Sequence, residues 1–191
     1  MIDRRWGLVV ATPLLAWVVG AIAMPHPTGV IAAQAAFDRS AVADVVKTVA
    51  ASPSSSVDVT LGKTIQLRGF DGPTQALSRG ARLSAILHFA VLADVDTDWQ
   101  VFVHIDAVDG TGFRINADHW PAGGRYRTGL WRPGEHVVDS FEQTIPVGAP
   151  AGLYDVWVGL YRGDKRMPVT GGDRSVVDGD NRVRVGRVVV E

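Results

Sequence analysis

From position 57 onward, the chain alternates between apolar and polar residues in short segments that Gly, Pro and Asp separate. A period of two residues is typical of a β-strand with one buried face. One predicted strand carries on a single face Leu83, Ala85, Leu87, Phe89 and Val91. Several such segments at regular spacing, with no helical pattern of useful length, predict an all-β domain at residues 59–191. Its expected architecture is an antiparallel immunoglobulin-like β-sandwich.

A local signature near the end of the chain supports this fold class. The sequence from Pro150 to Tyr154 leads into a predicted strand at residues 153–161. It resembles a tyrosine corner, in which a Tyr at the start of a late strand donates a hydrogen bond to the backbone upstream. The corner belongs to the fold and implies no catalytic role. The side chains that we expect in the core are Trp99, Val101, Val103, Tyr154, Val156 and Val158.

The N-terminal region has no Lys, Arg, Asp or Glu between Arg5 and Asp38, and residues 6–24 are nearly all apolar. As a helix, these residues would span roughly 28 Å, about the thickness of a bilayer core. Residues 1–25 therefore predict a transmembrane anchor, and the two arginines before the apolar run favour a cytoplasmic N-terminus. A cleaved signal peptide is the alternative, since residues 21–23 have the small-x-small pattern of a cleavage site. The expected location is a bacterial inner membrane, crossed once, with the C-terminal domain in the periplasm.

Residues 26–58 are predicted to be a helical connector followed by a Ser/Pro linker. From Ala35 to Ala51 the chain is rich in Ala, and apolar residues recur at roughly helical spacing. This stripe consists of Phe37, Val42, Val45, Val46 and Val49. The Ser-Pro-Ser-Ser-Ser sequence at 52–56 predicts a helix stop and a flexible linker. The stripe either docks on the domain or on a partner, or it belongs to a partly ordered stalk.

The composition excludes several kinds of site. The 191 residues include no Cys, which rules out disulfides, Cys-ligated zinc, a cysteine nucleophile and a lipobox lipid anchor. The 19 Lys and Arg residues and 20 Asp and Glu residues give a formal net charge of −1, which argues against nucleic acid as a partner. Neither G-x-S-x-G nor H-E-x-x-H occurs. We expect no cofactor and no metal, with a surface site of His104, Asp106 and His119 as the metal alternative.

Short motifs follow one another in a fixed order between Leu61 and Glu191. They include Val101-Phe102-Val103-His104-Ile105-Asp106, Trp131-Arg132-Pro133-Gly134-Glu135, Val158-Gly159-Leu160-Tyr161 and Arg166-Met167-Pro168-Val169. In this order they resemble the C-terminal extracytoplasmic β-sandwich domain of bacterial multi-pass glycosyltransferase-like membrane proteins. The resemblance implies a sandwich outside the cytoplasm and near a glycan. This sequence lacks the multi-pass catalytic part, so the resemblance does not imply glycosyltransferase activity.

The densest group of acidic, aromatic and basic residues lies between positions 118 and 131. The candidate ligand-binding residues are Asp118, His119, Trp120, Arg125, Tyr126, Arg127 and Trp131. Aromatic rings can stack on the apolar faces of a sugar, and Asp, His and Arg can form hydrogen bonds with its hydroxyls. The alternative is a long structured connection whose Trp and Tyr cap the core and whose glycines form tight turns.

These features predict a non-catalytic, membrane-tethered, extracytoplasmic β-sandwich that binds a partner protein or an envelope glycan, for example as an accessory subunit of a membrane complex. No catalytic residue is assigned. The alternative is a cell-envelope carbohydrate-active enzyme that uses Asp118, Glu135 or Asp139, because spacing alone does not exclude a pair of catalytic carboxylates.

Overall fold

The computed structural model describes residues 33–191. The predicted membrane segment at residues 1–25 lies outside the described residues, as does the first part of the predicted connector. Between residues 33 and 191, no helix is long and apolar enough to cross a membrane.

The described chain forms eleven strands, β1 to β11 in chain order, in two antiparallel sheets. The six-stranded sheet has the order β1 (Val46–Lys47), β7 (His136–Thr144), β4 (Arg82–Val91), β3 (Ile65–Asp71), β2 (Ser55–Leu61) and β10 (Val169–Gly171). The five-stranded sheet has the order β11 (Val183–Val190), β8 (Gly152–Arg162), β5 (Gln100–Ala107) and β6 (Arg114–Asn116), and β9 (Lys165–Arg166) pairs with the end of β8. Short 3₁₀ helices occur at Arg39–Val42, Pro121–Gly124, Thr128–Leu130 and Arg174–Val176.

The two sheets pack face to face, as the alternating pattern predicts. Leu87 and Phe89 of β4 meet the inner face of the five-stranded sheet in one buried cluster. Five of the six expected core side chains are buried: Val101, Val103, Tyr154, Val156 and Val158. Trp99 is a correction, because it lies just before β5 begins and stays partly exposed at the end of the sandwich. Its ring packs against the core on one side and lies 5.7 Å from the Arg162 guanidinium on the other.

The tyrosine corner predicted at Tyr154 is confirmed. The Tyr154 hydroxyl donates to the carbonyl of Pro150, with 2.7 Å between the oxygens. The ring itself is buried in the core, so the bond closes the turn before β8 without exposing the aromatic surface.

The predicted helix at residues 35–51 is wrong. Instead, one helical turn at 33–36 precedes the 3₁₀ helix Arg39–Val42, and β1 then pairs with β7. Val42 and Val45 are buried in the core cluster, and Phe37 and Val46 pack against it, so most of the apolar stripe docks on the domain; Val49 is exposed. Contacts with the sandwich thus outweigh the helix propensity of this Ala-rich segment. The linker prediction also fails in part, because strand β2 already begins at Ser55.

The connection from 118 to 131 closes one side of the sandwich, in agreement with the alternative that its Trp and Tyr cap the core. It runs from the edge of the five-stranded sheet, at β6, to β7 of the six-stranded sheet. On the way, the backbone N–H of Ala122 donates to the Asp139 carboxylate on β7, at 2.8 Å. Ala122 has a φ of 52°, a left-handed conformation that this hydrogen bond helps to hold.

Candidate functional site

The structure divides the seven residues predicted to bind a ligand. Tyr126 and Trp131 are fully buried and belong to the core cluster, so their rings have no surface to offer a ligand. Trp131 packs against Phe89 with 5.6 Å between ring centroids, and its indole N–H donates to the Tyr126 carbonyl at 3.0 Å. The prediction that these two rings stack on a sugar is therefore wrong, and their capping of the core is what the structure shows.

A partly buried polar network holds the Tyr126 hydroxyl. The Tyr126 hydroxyl lies 2.5 Å from Oε2 of Glu135, and the Arg39 guanidinium contacts both groups. Burial, followed by the neighbouring Glu135 carboxylate, raises the pKa of Tyr126 far above its ordinary value. Since Arg39 also donates to the Leu130 carbonyl, this network fastens the connector to the domain.

Arg125 and Arg127 remain at the surface but have different partners. The Arg125 guanidinium forms two hydrogen bonds with the Asp44 carboxylate, at 2.7 and 3.2 Å, and so also holds the connector. The Arg127 guanidinium lies over the ring of Trp120, 4.6 Å from its centroid. The predicted cluster is therefore not one binding surface, because its members face three separate environments.

His119 points into the sandwich and pairs with Asp139. Its Nδ1 lies 2.8 Å from the Ala117 carbonyl and its Nε2 lies 2.9 Å from the fully buried Asp139 carboxylate. Because both neighbours are acceptors, the protonated imidazolium satisfies both. Burial acts to lower the pKa of His119, but the hydrogen bond and charge of Asp139 outweigh it and the pKa is raised.

The three carboxylates of the enzyme alternative, Asp118, Glu135 and Asp139, have different surroundings. Glu135 belongs to the Arg39 and Tyr126 network, and Asp139 is held by His119 and a backbone N–H. Both serve internal contacts. Asp118 is the exposed member of the three, and it lies at a different position on the surface.

Asp118 lies at the edge of a groove on the outer face of the five-stranded sheet, the face turned away from the six-stranded sheet. Because Val101, Val103 and Ile105 of β5 point into the core, the alternating residues Phe102, His104 and Asp106 point outward. The groove has a volume of about 210 Å³. Its lining residues are Phe102, His104, Asp118, Tyr161, Gly163, Asp164 and Arg166.

His104 is the unusual residue of this groove. The residue is only 8% exposed, and its Nδ1 has no hydrogen-bond partner within residues 33–191. Its Nε2 lies 3.9 Å from Oδ1 of Asp118, which is beyond hydrogen-bond distance. Burial, followed by the charge of Arg114, lowers the pKa of His104, which favours the neutral imidazole. A buried polar group without a partner costs stability, and at a concave surface it marks a candidate binding site.

A local irregularity in β-pairing places Asp118 beside His104. After β6, the chain continues along β5, and the Ala117 N–H donates to the Val103 carbonyl at 2.8 Å. The Val103 N–H then donates to the Asp118 side chain at 3.0 Å, where a regular ladder would use a backbone carbonyl. The carboxylate is therefore fixed by one oxygen at the edge of the groove.

The floor of the groove is the aromatic ring of Phe102, which fits against β8 because the residue opposite it is a glycine. Gly159 of β8 lies opposite Phe102 of β5, and a Cβ at Gly159 would be 2.4 Å from Cζ of the Phe102 ring. The Arg166 guanidinium covers that ring at 4.9 Å from its centroid, while Tyr161 lies 6.3 Å from it. Phe102 is thus a buried support, and half-buried Tyr161 supplies the accessible aromatic wall.

The sequence predicts that His104 and Asp106 share one strand face, and it offers His104, Asp106 and His119 as an alternative metal site. The structure turns His119 toward Asp139 instead. Within residues 33–191, no group of three or more His, Cys, Asp or Glu side chains is placed to hold a metal ion. The outward position of Phe102 and His104 could have been found from the period of two around Val103, but the missing hydrogen bonds could not.

A second surface groove, of about 390 Å³, lies near Ala33, Asp98 and Arg127. Two of its charged groups already have partners, since Asp98 accepts from the Gly129 N–H at 3.0 Å and lies 3.7 Å from Arg127. It offers no unsatisfied group comparable with His104.

Comparisons with known proteins do not identify the chain. No protein-family model matches it, and neither does any curated protein sequence, so the resemblance to glycosyltransferase-like membrane proteins stays a prediction. Among solved structures, it is similar to the C-terminal domain of wzt, with a TM-score of 0.47 and 14% identity, over 73% of this chain and 81% of that chain. A Niemann-Pick type C2 protein from Japanese carpenter ant gives a TM-score of 0.40 and 10% identity, over 75% of this chain and 99% of that chain. Such distant likenesses do not bear on what this chain binds.

Proposed function

We propose that this protein is a non-catalytic β-sandwich that binds a cell-envelope glycan in the groove around His104. The observation that carries the proposal is a largely buried imidazole in the groove whose Nε2 lies 3.9 Å from Oδ1 of Asp118, too far for a direct hydrogen bond. A sugar hydroxyl both donates and accepts hydrogen bonds. One hydroxyl can therefore accept from Nε2–H of His104 and donate to the Asp118 carboxylate, which bridges the 3.9 Å between them.

The shape and lining of the groove support a sugar more than a protein partner. A volume of about 210 Å³ suits a small ligand unit, whereas stable protein interfaces bury about 800 Å² on each partner. The half-buried ring of Tyr161 gives an apolar wall against which the C–H face of a sugar can pack. The engagement of Glu135 and Asp139 in internal contacts supports a binding role over the enzyme alternative.

The proposed location is the periplasmic side of a bacterial inner membrane. Its support is the apolar segment at residues 6–24 with two arginines ahead of it. Such a tether would keep the sandwich close to envelope glycans.

Titration of the full-length protein with a panel of envelope oligosaccharides, followed by calorimetry, tests the proposal. His104→Phe keeps an aromatic ring and removes both nitrogens, so we expect affinity at least about tenfold lower. His136→Asn, on the six-stranded sheet, is the matched control and should bind as the wild type does. Equal affinity in His104→Phe, or no glycan binding by the wild type, would contradict the proposal.

A further inference from the structure

We infer that the groove around His104 accepts an uncharged sugar residue and excludes anionic ones such as uronates and sugar phosphates. This inference rests on the proposed glycan binding and adds the class of sugar. It follows from the charges that line the groove and from the partners that its arginine already has.

The groove lining carries more negative than positive charge. Asp118 and Asp164 are both exposed carboxylates at its edge. Arg166 is the cation among the lining residues, and its guanidinium donates to the Asp180 carbonyl at 3.0 Å and lies 3.7 Å from the Asp180 carboxylate. An anionic ligand would therefore meet two carboxylates and a guanidinium that a third carboxylate already neutralises in part.

Two cations on the rest of the outer sheet face, Arg114 and Arg182, are already paired with aspartates. Arg114 forms two hydrogen bonds with Asp106, at 2.5 and 2.8 Å. Arg182 is shared between Asp106 and Asp178, at 2.7 and 2.6 Å. To bind a ligand carboxylate or phosphate, each guanidinium would first have to break its ion pair with an aspartate. The free energy lost with that ion pair offsets the free energy gained from the new contact.

A neutral ligand avoids this conflict. The Asp118 carboxylate only accepts hydrogen bonds, and a hydroxyl can satisfy it where a second carboxylate cannot. Neutral His104 adds one polar group without a charge. Like charges placed close together at an interface are strongly unfavourable, which is how a site rejects the wrong partner.

The test uses pairs of oligosaccharides that differ only in one group, a neutral hexose unit and its C6-oxidised uronate counterpart. Calorimetry with the full-length protein at low salt should give an affinity for the uronate at least about tenfold lower than for the neutral member. Added salt should reduce the difference, because it screens the repulsion.

Two variants separate the local charge from the net charge. Asp164→Asn should reduce the difference in affinity between the neutral sugar and the uronate, since it removes one of the two groove carboxylates. Asp109→Asn changes net charge equally at an exposed turn outside the groove lining and should leave the difference unchanged. The inference would be overturned if uronates bound as well as neutral sugars, or if the ratio of neutral-sugar to uronate affinity were the same in Asp164→Asn as in the wild type. Either result would leave the proposed glycan binding intact. If neither member of any pair binds, the proposed function itself fails.

Discussion

The pair formed by His119 and Asp139 joins the 118–131 connection to the six-stranded sheet. His119→Ala would leave the fully buried Asp139 carboxylate with the Ala122 N–H as its remaining hydrogen-bond partner within residues 33–191. Removing one partner of a buried ion pair costs about 3–5 kcal/mol. In a domain of this size, each kcal/mol lowers the melting temperature by roughly 2–4 °C, so we expect a fall of about 6–20 °C.

Asp139→Asn distinguishes the charge of the pair from its shape. The Asn side chain can still accept from the Ala122 N–H and can donate to Nε2 of a neutral His119. We therefore expect a loss within about 1 kcal/mol. Because Asp139 raises the pKa of His119, the wild-type pair adds stability that is full below about pH 6.5, the ordinary pKa of His, and is lost as pH rises through the folded-state value. Asp139→Asn should flatten this dependence.

Urea unfolding followed by tryptophan fluorescence, at about pH 5.5 and about pH 8.5, measures both effects. Glu142→Gln on the same strand is the matched control, since its pair with Arg82 is exposed and contributes less than about 1 kcal/mol. A His119→Ala protein within about 1 kcal/mol of the wild type at both pH values would refute the reasoning.

Three further substitutions test other contacts. Tyr154→Phe removes the tyrosine-corner hydroxyl and should lower the free energy of unfolding by about 1 kcal/mol in urea titration; no change would argue against that bond. Arg39→Met leaves the partly buried Glu135 carboxylate without its cation, so we expect a loss of about 2 kcal/mol or more and faster proteolysis within residues 33–47, and unchanged cleavage would contradict it. Gly159→Ala pushes against the Phe102 ring, which should cost about 1–3 kcal/mol by unfolding and weaken glycan binding, whereas wild-type values would show that the ring moves freely.

The sandwich was predictable because one face of each long strand is buried. In β4 and β5, the alternation of apolar residues identified which side chains enter the core between the sheets, although Phe102 and His104 on the other face of β5 are buried as well. The connector was not predictable in the same way. Val42 and Val45 fit a helical stripe, yet they enter the core from a 3₁₀ helix and a turn, because their partners lie far away in sequence.

The site was harder to predict for the same reason. An aromatic residue in a Gly-rich connection can face a ligand or the core. Trp131 faces the core because Phe89 packs against its ring and its indole N–H donates to the Tyr126 carbonyl. The outward direction of His104 followed from strand alternation. That its Nδ1 lacks a partner within residues 33–191 depends on every nearby backbone and side-chain position, which no short motif encodes.

The most direct measurement of the central claim follows the ring nitrogens of His104 by ¹⁵N NMR while a neutral oligosaccharide that binds the protein is titrated in. A hydroxyl that accepts from Nε2–H should shift the ¹⁵N signal of His104 Nε2 in a saturable way, with the same affinity that calorimetry gives. The ring signals of His136 should stay constant. Saturable binding that leaves the His104 signals unchanged would contradict the assignment of this groove as the glycan site.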